Sequence, residues 1–165
     1  MQGPYAHKIA DNLAEAISIS SDWRKAGNLI VFTNGCFDLI HSGHIQYLYE
    51  AKQLGNRLII GVNSDESVQL LKGSSRPILS ISERLEILSA LEMIDLLVPF
   101  SEETPLNLIE SLNPDVLVKG GDYELEEIVG ANEVLKSGGR VQKLGFKEGL
   151  STSTIIQTII EKYGK

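Results

Sequence analysis

Apolar residues recur along the chain in two rhythms: short unbroken runs, and stripes spaced three and four residues apart. Ile9, Leu13, Ala16 and Ile17 keep helical spacing and predict an amphipathic helix over 8–18. NLIVFTN at 28–34 is apolar and β-branched, which predicts a strand. In GHIQYLYEAKQLG, Ile45, Leu48, Ala51 and Leu54 share one face and Gly55 stops the helix. RLIIGVNS at 57–64 is the next strand. A helix over 81–94 opens with Ser80 and Glu83, the spacing of a capping box. DLLVPF at 95–100 reads as a strand, 104–113 as a helix with Pro105 near its first turn, and DVLVKG at 115–120 as a strand. Residues 124–137 hold one or two short helices, RVQKLG at 140–145 a strand, and 151–165 a closing helix. The stripe of that last helix is Ile155, Ile156, Ile159, Ile160 and Tyr163.

Five apolar strands alternate with helices. Unbroken apolar strands suit a parallel sheet covered on both faces, so the fold class is α/β, a doubly wound, Rossmann-like five-stranded parallel sheet. Ligands are then expected beyond the carboxyl ends of the strands, at the switch point. The 165 residues amount to one domain, 1–165, with 1–27 as an amino-terminal helical extension of no assignable function.

Composition narrows the function. The chain is 42% hydrophobic and 22% charged, as in ordinary globular proteins. Its net charge of −7 argues against a nucleic-acid partner, which asks for a basic face, but leaves room for one small anionic ligand. Cys36 is the only cysteine, so no internal disulfide can form. No apolar stretch approaches the roughly 20 residues that span a bilayer, and the start lacks a signal-peptide pattern. A cytoplasmic protein with no membrane partner is expected.

TNGCFDLIHSGH, Thr33 to His44, carries the candidate chemistry. It holds two of the three histidines, three residues apart, where the first strand hands over to a helix. A helix start offers free amides and a favourable dipole for an anion. Residues three apart there share a face, so both imidazoles can donate to one phosphate. Gly43 between them adds no bulk, and Gly35 allows a tight turn and close approach of a ligand. Spacing alone also fits an incidental pair. Metal ligation fits poorly, because the sole cysteine is not spaced to complete a site. Cys36 reads as a packed small residue rather than a nucleophile.

The form G-x-F-D-x-x-H-x-G-H resembles the signature of the nucleotidylyltransferase superfamily, in which the histidine pair lies on the nucleotide's phosphates. A second motif agrees: EGLSTSTII, 148–156, puts hydroxyls and free amides at a late helix start, more than a simple cap needs. Together with GVNSDESVQLLKGSSRPI, ERLEILSALEMIDLLVPF and PDVLVKGGDY, these stretches resemble, over about 28–163, the adenylyltransferases that make ADP-heptose. In many bacteria that unit is the carboxyl-terminal half of a bifunctional kinase and adenylyltransferase; the stand-alone form is expected here. A departure is GLSTSTII, where the family's form is closer to G-C-S-T-T-N-I-I.

The resemblance implies transfer of AMP from ATP to D-glycero-β-D-manno-heptose 1-phosphate. Mg²⁺ would be held mainly by the ATP phosphates, with no protein metal site. It places His41, His44 and Lys72 in catalysis, with Lys72 on a mobile Gly- and Ser-rich stretch between a helix and Pro77. Thr33, Asn34, Gly35, Phe37, Arg84, Lys119, Gly120, Gly121, Asp122, Ser151, Thr152 and Ser153 would bind nucleotide. Asp38, Arg76 and Glu133 would bind the sugar phosphate, although Asp38 could instead orient the turn and equally fits a helix-start cap, and Arg76 could also meet the triphosphate. A homo-oligomer, most simply a dimer, is expected. Open alternatives are a cytidylyltransferase acting on a polyol or amino-alcohol phosphate, and a non-catalytic nucleotide-binding module.

Overall fold

The computed structural model describes residues 3–121, 127–145 and 149–164. Five strands, β1 (Ile30–Gly35), β2 (Arg57–Asn63), β3 (Leu96–Phe100), β4 (Val116–Gly120) and β5 (Arg140–Leu144), form one sheet in the order β3-β2-β1-β4-β5. All pairings are parallel. The doubly wound expectation therefore holds, and β1 lies between β2 and β4, where the winding reverses. The carboxyl ends of β1 and β4, at Gly35 and Gly120, flank that switch point.

Side chains alternate across the sheet. Ile30, Phe32, Ile59, Leu96, Val98 and Leu117 face one layer; Val31, Leu58, Ile60, Val62, Leu97, Val116 and Val118 face the other. The first layer is closed by α1 (Leu13–Lys25), α5 (Leu106–Leu112) and α6 (Ala131–Lys136). The second is closed by α2 (Ser42–Lys52) and α4 (Ile81–Ser89). Burying each such Leu or Ile is worth roughly 1.5–3 kcal/mol, which is why unbroken apolar runs predict this sheet. Strand β5 is the exception: it is an edge, and none of its residues is fully buried.

Several boundaries differ from expectation. The first helix runs over Leu13–Lys25, capped by Asn12, not over 8–18. Ile9 belongs to no helix; it bridges Leu97 beside β3, and the Ala10 amide donates to the Leu97 carbonyl. Its burial mimics a helical stripe. Helix α4 ends at Ser89, short of 94, but its capping box of Ser80 and Glu83 forms as read. The last helix, α7 (Thr152–Tyr163), buries none of its residues. Between β2 and α4 lies α3 (Asp65–Lys72), capped by Ser64.

Candidate active site

The stretch after β1 is shaped by Phe37, a non-glycine residue at φ 46, in the left-handed region that side chains rarely adopt. This bend turns the chain towards α2 and sinks the Phe37 ring into the second layer, beside His44 at 5.4 Å. Gly35 makes room under it, since a Cβ there would lie 3.0 Å from the ring and would push it aside.

His41 is the N-cap residue of α2 but makes no side-chain cap bond, and His44 lies in the first turn. Their rings stack with centroids 3.8 Å apart. Both Nδ1 atoms are buried without a hydrogen-bond partner among the described residues. A buried N–H left unpaired costs more than a lone pair, which leaves each proton for Nε2. Burial lowers the pKa of His41; burial and then the charge of His41 lower His44 to about 4. Both rings are thus neutral near pH 7. Gly43 makes room for this, since a Cβ would meet His41 Nδ1 at 3.1 Å.

Cations gather around the same loop. Burial raises the Cys36 pKa, opposed by the charges of Lys72, Arg84 and Arg76. Burial lowers that of Lys119, whose charge feels Cys36 and Lys72. Lys119 Nζ donates to Asn34 Oδ1 at 3.4 Å across the switch point. A small cavity of about 170 Å³ opens between these two residues and Pro105, Leu117, Glu127 and Ile128, on the first-layer side of the sheet. Arg76 and Arg84 are paired with Asp38 and Asp65, and Glu127 lines the cavity, so Lys72 and Lys119 are the cations that this switch point offers a ligand.

Lys72 is not on the loop but is the last residue of α3, with Gly73 at φ 94 ending the helix. A cation suits that carboxyl end. Gly120 ends β4, and Gly121, at φ 106, turns the chain in a conformation that favours glycine. Asp122 lies outside the described residues. Ser151 caps α7 by accepting from the Thr154 amide, and Thr152 Oγ1 donates to the Leu39 carbonyl at 3.3 Å. The two motifs read as phosphate sites in the sequence therefore meet in space. Ser153 is exposed beside them.

Four side chains are not free to make the expected contacts. The side chain of Thr33 is fully buried, with its hydroxyl 2.6 Å from the hydroxyl of Tyr47, which leaves only its backbone for the expected contact. Asp38 is buried, and its carboxylate is taken up by Arg76 Nε and the amides of Ile78 and Leu79. Arg84 is fully buried and donates to Leu79 O, Cys36 O and Asp65 Oδ1 at 3.1, 2.5 and 2.7 Å. Glu133 lies on α6, lining a cleft of about 310 Å³ with Ile109 and Asn113, on the sheet face opposite the histidines. In each case the residue type suggested a ligand contact, and the fold supplies a protein partner or a different layer.

Two residues were missed. Tyr47 reaches from α2 to Thr33 and to the backbone of Val118 and Gly120, fastening α2 across β1 and β4. Burial pushes its phenol up to about 12. Its position three after His44, on the inward face, was the available signal. Asp65, partner of Arg84, left none beyond its place in a helix's first turn.

The cytidylyltransferase-like family model matches residues 32–158, from inside β1 to α7. The chain belongs to this family. It is 53% identical over 157 residues to the bifunctional protein HldE of Hydrogenovibrio crunogenus, covering 95% of this chain and 32% of that one. HldE of Nitrosococcus oceani is 57% identical over 136 residues, covering 82% of this chain and 29% of that protein. The chain thus spans about a third of the length of the curated relatives it matches. Among solved structures, a lipopolysaccharide core biosynthesis protein from Thermoplasma volcanium is 27% identical with a TM-score of 0.59, covering 73% of this chain and 98% of that one. Pantoate-beta-alanine ligase of Francisella tularensis, solved with an ATP compound and beta-alanine, is 16% identical with a TM-score of 0.63 and shares the fold. It covers 91% of this chain and 72% of that one.

Proposed function

We propose that this family member transfers AMP from ATP to a heptose 1-phosphate, D-glycero-β-D-manno-heptose 1-phosphate, releasing ADP-heptose and pyrophosphate. The observation that carries a nucleotidyl transfer is the neutral, stacked His41–His44 pair with orphaned Nδ1 atoms, set at a helix start and the switch point. The heptose is favoured by identities of 53% and 57% to HldE proteins and by the likeness to a lipopolysaccharide core biosynthesis protein.

In this reading, an oxygen of the sugar 1-phosphate attacks the α-phosphorus of ATP in line. The new P–O bond forms as the bond to the pyrophosphate oxygen breaks. The acceptor is already anionic near neutral pH, with a second pKa of about 6, so no base is required. The histidines donate from Nε2 to phosphate oxygens, and Lys72 and Lys119 offset the charge that grows on the leaving group. Mg²⁺ would be carried by the nucleotide's phosphates and water, where it would neutralise phosphate charge. A dimer and a cytoplasmic location complete the proposal, and sedimentation tests the first; no helix of the described residues is long and apolar enough to cross a membrane.

The test is pyrophosphate release on mixing the protein with Mg²⁺, each of ATP, CTP, GTP and UTP, and a set of sugar and polyol phosphates. ATP with heptose 1-phosphate should be the fastest pair. A preference for CTP with a polyol phosphate would move the chain to the cytidylyltransferase reading. Nucleotide binding with no pyrophosphate from any pair would leave a binding module.

A further inference from the structure

One buried carboxylate, Asp38, fastens the chain on its way from α3 to α4. Its side chain is 0% exposed, and that of Arg76 is 12% exposed. Oδ2 accepts from Arg76 Nε at 2.6 Å, and the amides of Ile78 and Leu79 donate to the carboxylate at 2.9 Å. Arg84 extends the frame, donating to the carbonyls of Cys36 and Leu79 and to Asp65. The β1–α2 loop, the start of α3, residues 76–79 and the start of α4 are thereby joined. Lys72 ends α3, so the stretch that carries it is anchored at Asp65 before it and at Arg76 after it. Asp38 offers no surface to a ligand, and a carboxylate aimed at a phosphate acceptor would repel it. Arg76 uses only Nε on Asp38, and its two outer nitrogens carry no partner among the described residues.

We propose that Asp38 is a positioning residue: it orients Arg76 so that the outer edge of the guanidinium receives the acceptor's phosphate, and it holds residues 76–79 in register. This rests on the proposed transfer to a sugar 1-phosphate. An arginine fork suits that role because two parallel donors match two phosphate oxygens, and a carboxylate on Nε fixes the plane of the fork.

The experiment is a cycle of Asp38→Asn, Arg76→Gln and the double variant, in the full chain. Pyrophosphate release gives kcat and KM for heptose 1-phosphate and for ATP, and hydrogen exchange reads the amides of Ile78 and Leu79. Asp38→Asn should lower kcat/KM for the acceptor roughly tenfold or more, as expected for loss of a charged hydrogen bond, chiefly through KM for the acceptor and not for ATP. The double variant should match Arg76→Gln within about twofold, since both changes remove one arrangement. Exchange at Ile78 and Leu79 should quicken in Asp38→Asn and stay slow in Arg76→Gln. Effects that multiply would mean that Asp38 meets substrate independently, and would overturn the proposal. So would unchanged exchange at Ile78 and Leu79. If Asp38→Asn does not fold, Arg76→Gln decides: an unchanged KM for the acceptor overturns the role of Arg76. If the wild-type chain releases no pyrophosphate, the functional reading fails, while the exchange measurement still decides whether Asp38 holds the segment.

Discussion

At the residue scale, Gly43 separates stability from activity. Alanine there would ordinarily favour the helix by about 1 kcal/mol. Its Cβ, however, would lie 3.1 Å from His41 Nδ1 and 3.2 Å from Cε1, so the imidazole must move. Gly43→Ala should keep or raise Tm while lowering kcat at least tenfold, the order expected when a positioned donor is misplaced. Thermal unfolding and pyrophosphate release on one preparation check this; unchanged turnover would remove the histidine pair from the phosphates. The same pair sets a pH dependence. His44 titrates near 4 in the folded chain against 6.5 for the ordinary group, and His41 is lowered too. The unfolded chain therefore binds more protons between those values, and stability must fall as pH drops from 6.5 towards 4. Asp38, held below its ordinary 3.8, contributes only at lower pH: burial raises it, but the amides of Leu79 and Ile78 and Arg76 outweigh that. His44→Gln should flatten the slope of Tm between pH 6.5 and 4.5. An equal slope in both proteins would show that the rings are not held neutral.

At the element scale, one phenol fastens α2 across two strands, beside the packing of Leu48 and Ala51. Tyr47 connects α2 to β1 through Thr33 and to β4 through Val118, on the layer that faces the histidines. Tyr47→Phe keeps the ring's packing but removes the partner of a fully buried hydroxyl. It should cost about 1–3 kcal/mol by urea unfolding, with a smaller loss of kcat than any histidine variant. A cost near zero would mean that packing alone sets α2. This element also marks how far the sequence could be read. Strands β1 to β4 were legible because almost every apolar residue within them is buried by one layer or the other, Pro99 being the partly buried exception. The Ser80–Glu83 cap and the phosphate motifs were legible because their chemistry is local. The substrate reading of Asp38 and the anion reading of Arg84 fail because their partners are 38 to 41 and up to 48 residues away. Nothing in a local pattern distinguishes a buried arginine that ties three segments from one that waits for a phosphate. Ile9 was misread in the same way, since a bridge to β3 and a helical stripe both bury an isoleucine.

At the scale of the whole molecule, loops from several strands converge on one edge of the sheet, so ligand and fold must be thermodynamically linked. The net charge of −7 opposes an anionic nucleotide at long range, whereas Lys72, Arg76 and Lys119 favour it locally. The local term decides if the site binds at all, because a Debye length of about 10 Å at 0.1 M salt screens distant carboxylates more than close cations. ATP at about 100 times its Kd should then add roughly 2.7 kcal/mol to folding. For a chain of this size that is a rise in Tm of roughly 5–10 °C. His44→Ala removes a ring whose Nδ1 has no partner, so the unliganded Tm should move by only a few degrees, about 1 kcal/mol, while the rise with ATP largely disappears. The rise should also shrink at about 1 M salt, where screening reaches about 3 Å and weakens the exposed Lys72 before the half-buried Lys119. Thermal melts of both proteins, with and without ATP and Mg²⁺, measure this directly. An ATP shift that survives in His44→Ala would place the nucleotide elsewhere on the sheet edge, whereas a shift absent from the wild type would mean that the cation cluster does not overcome the charge of the chain.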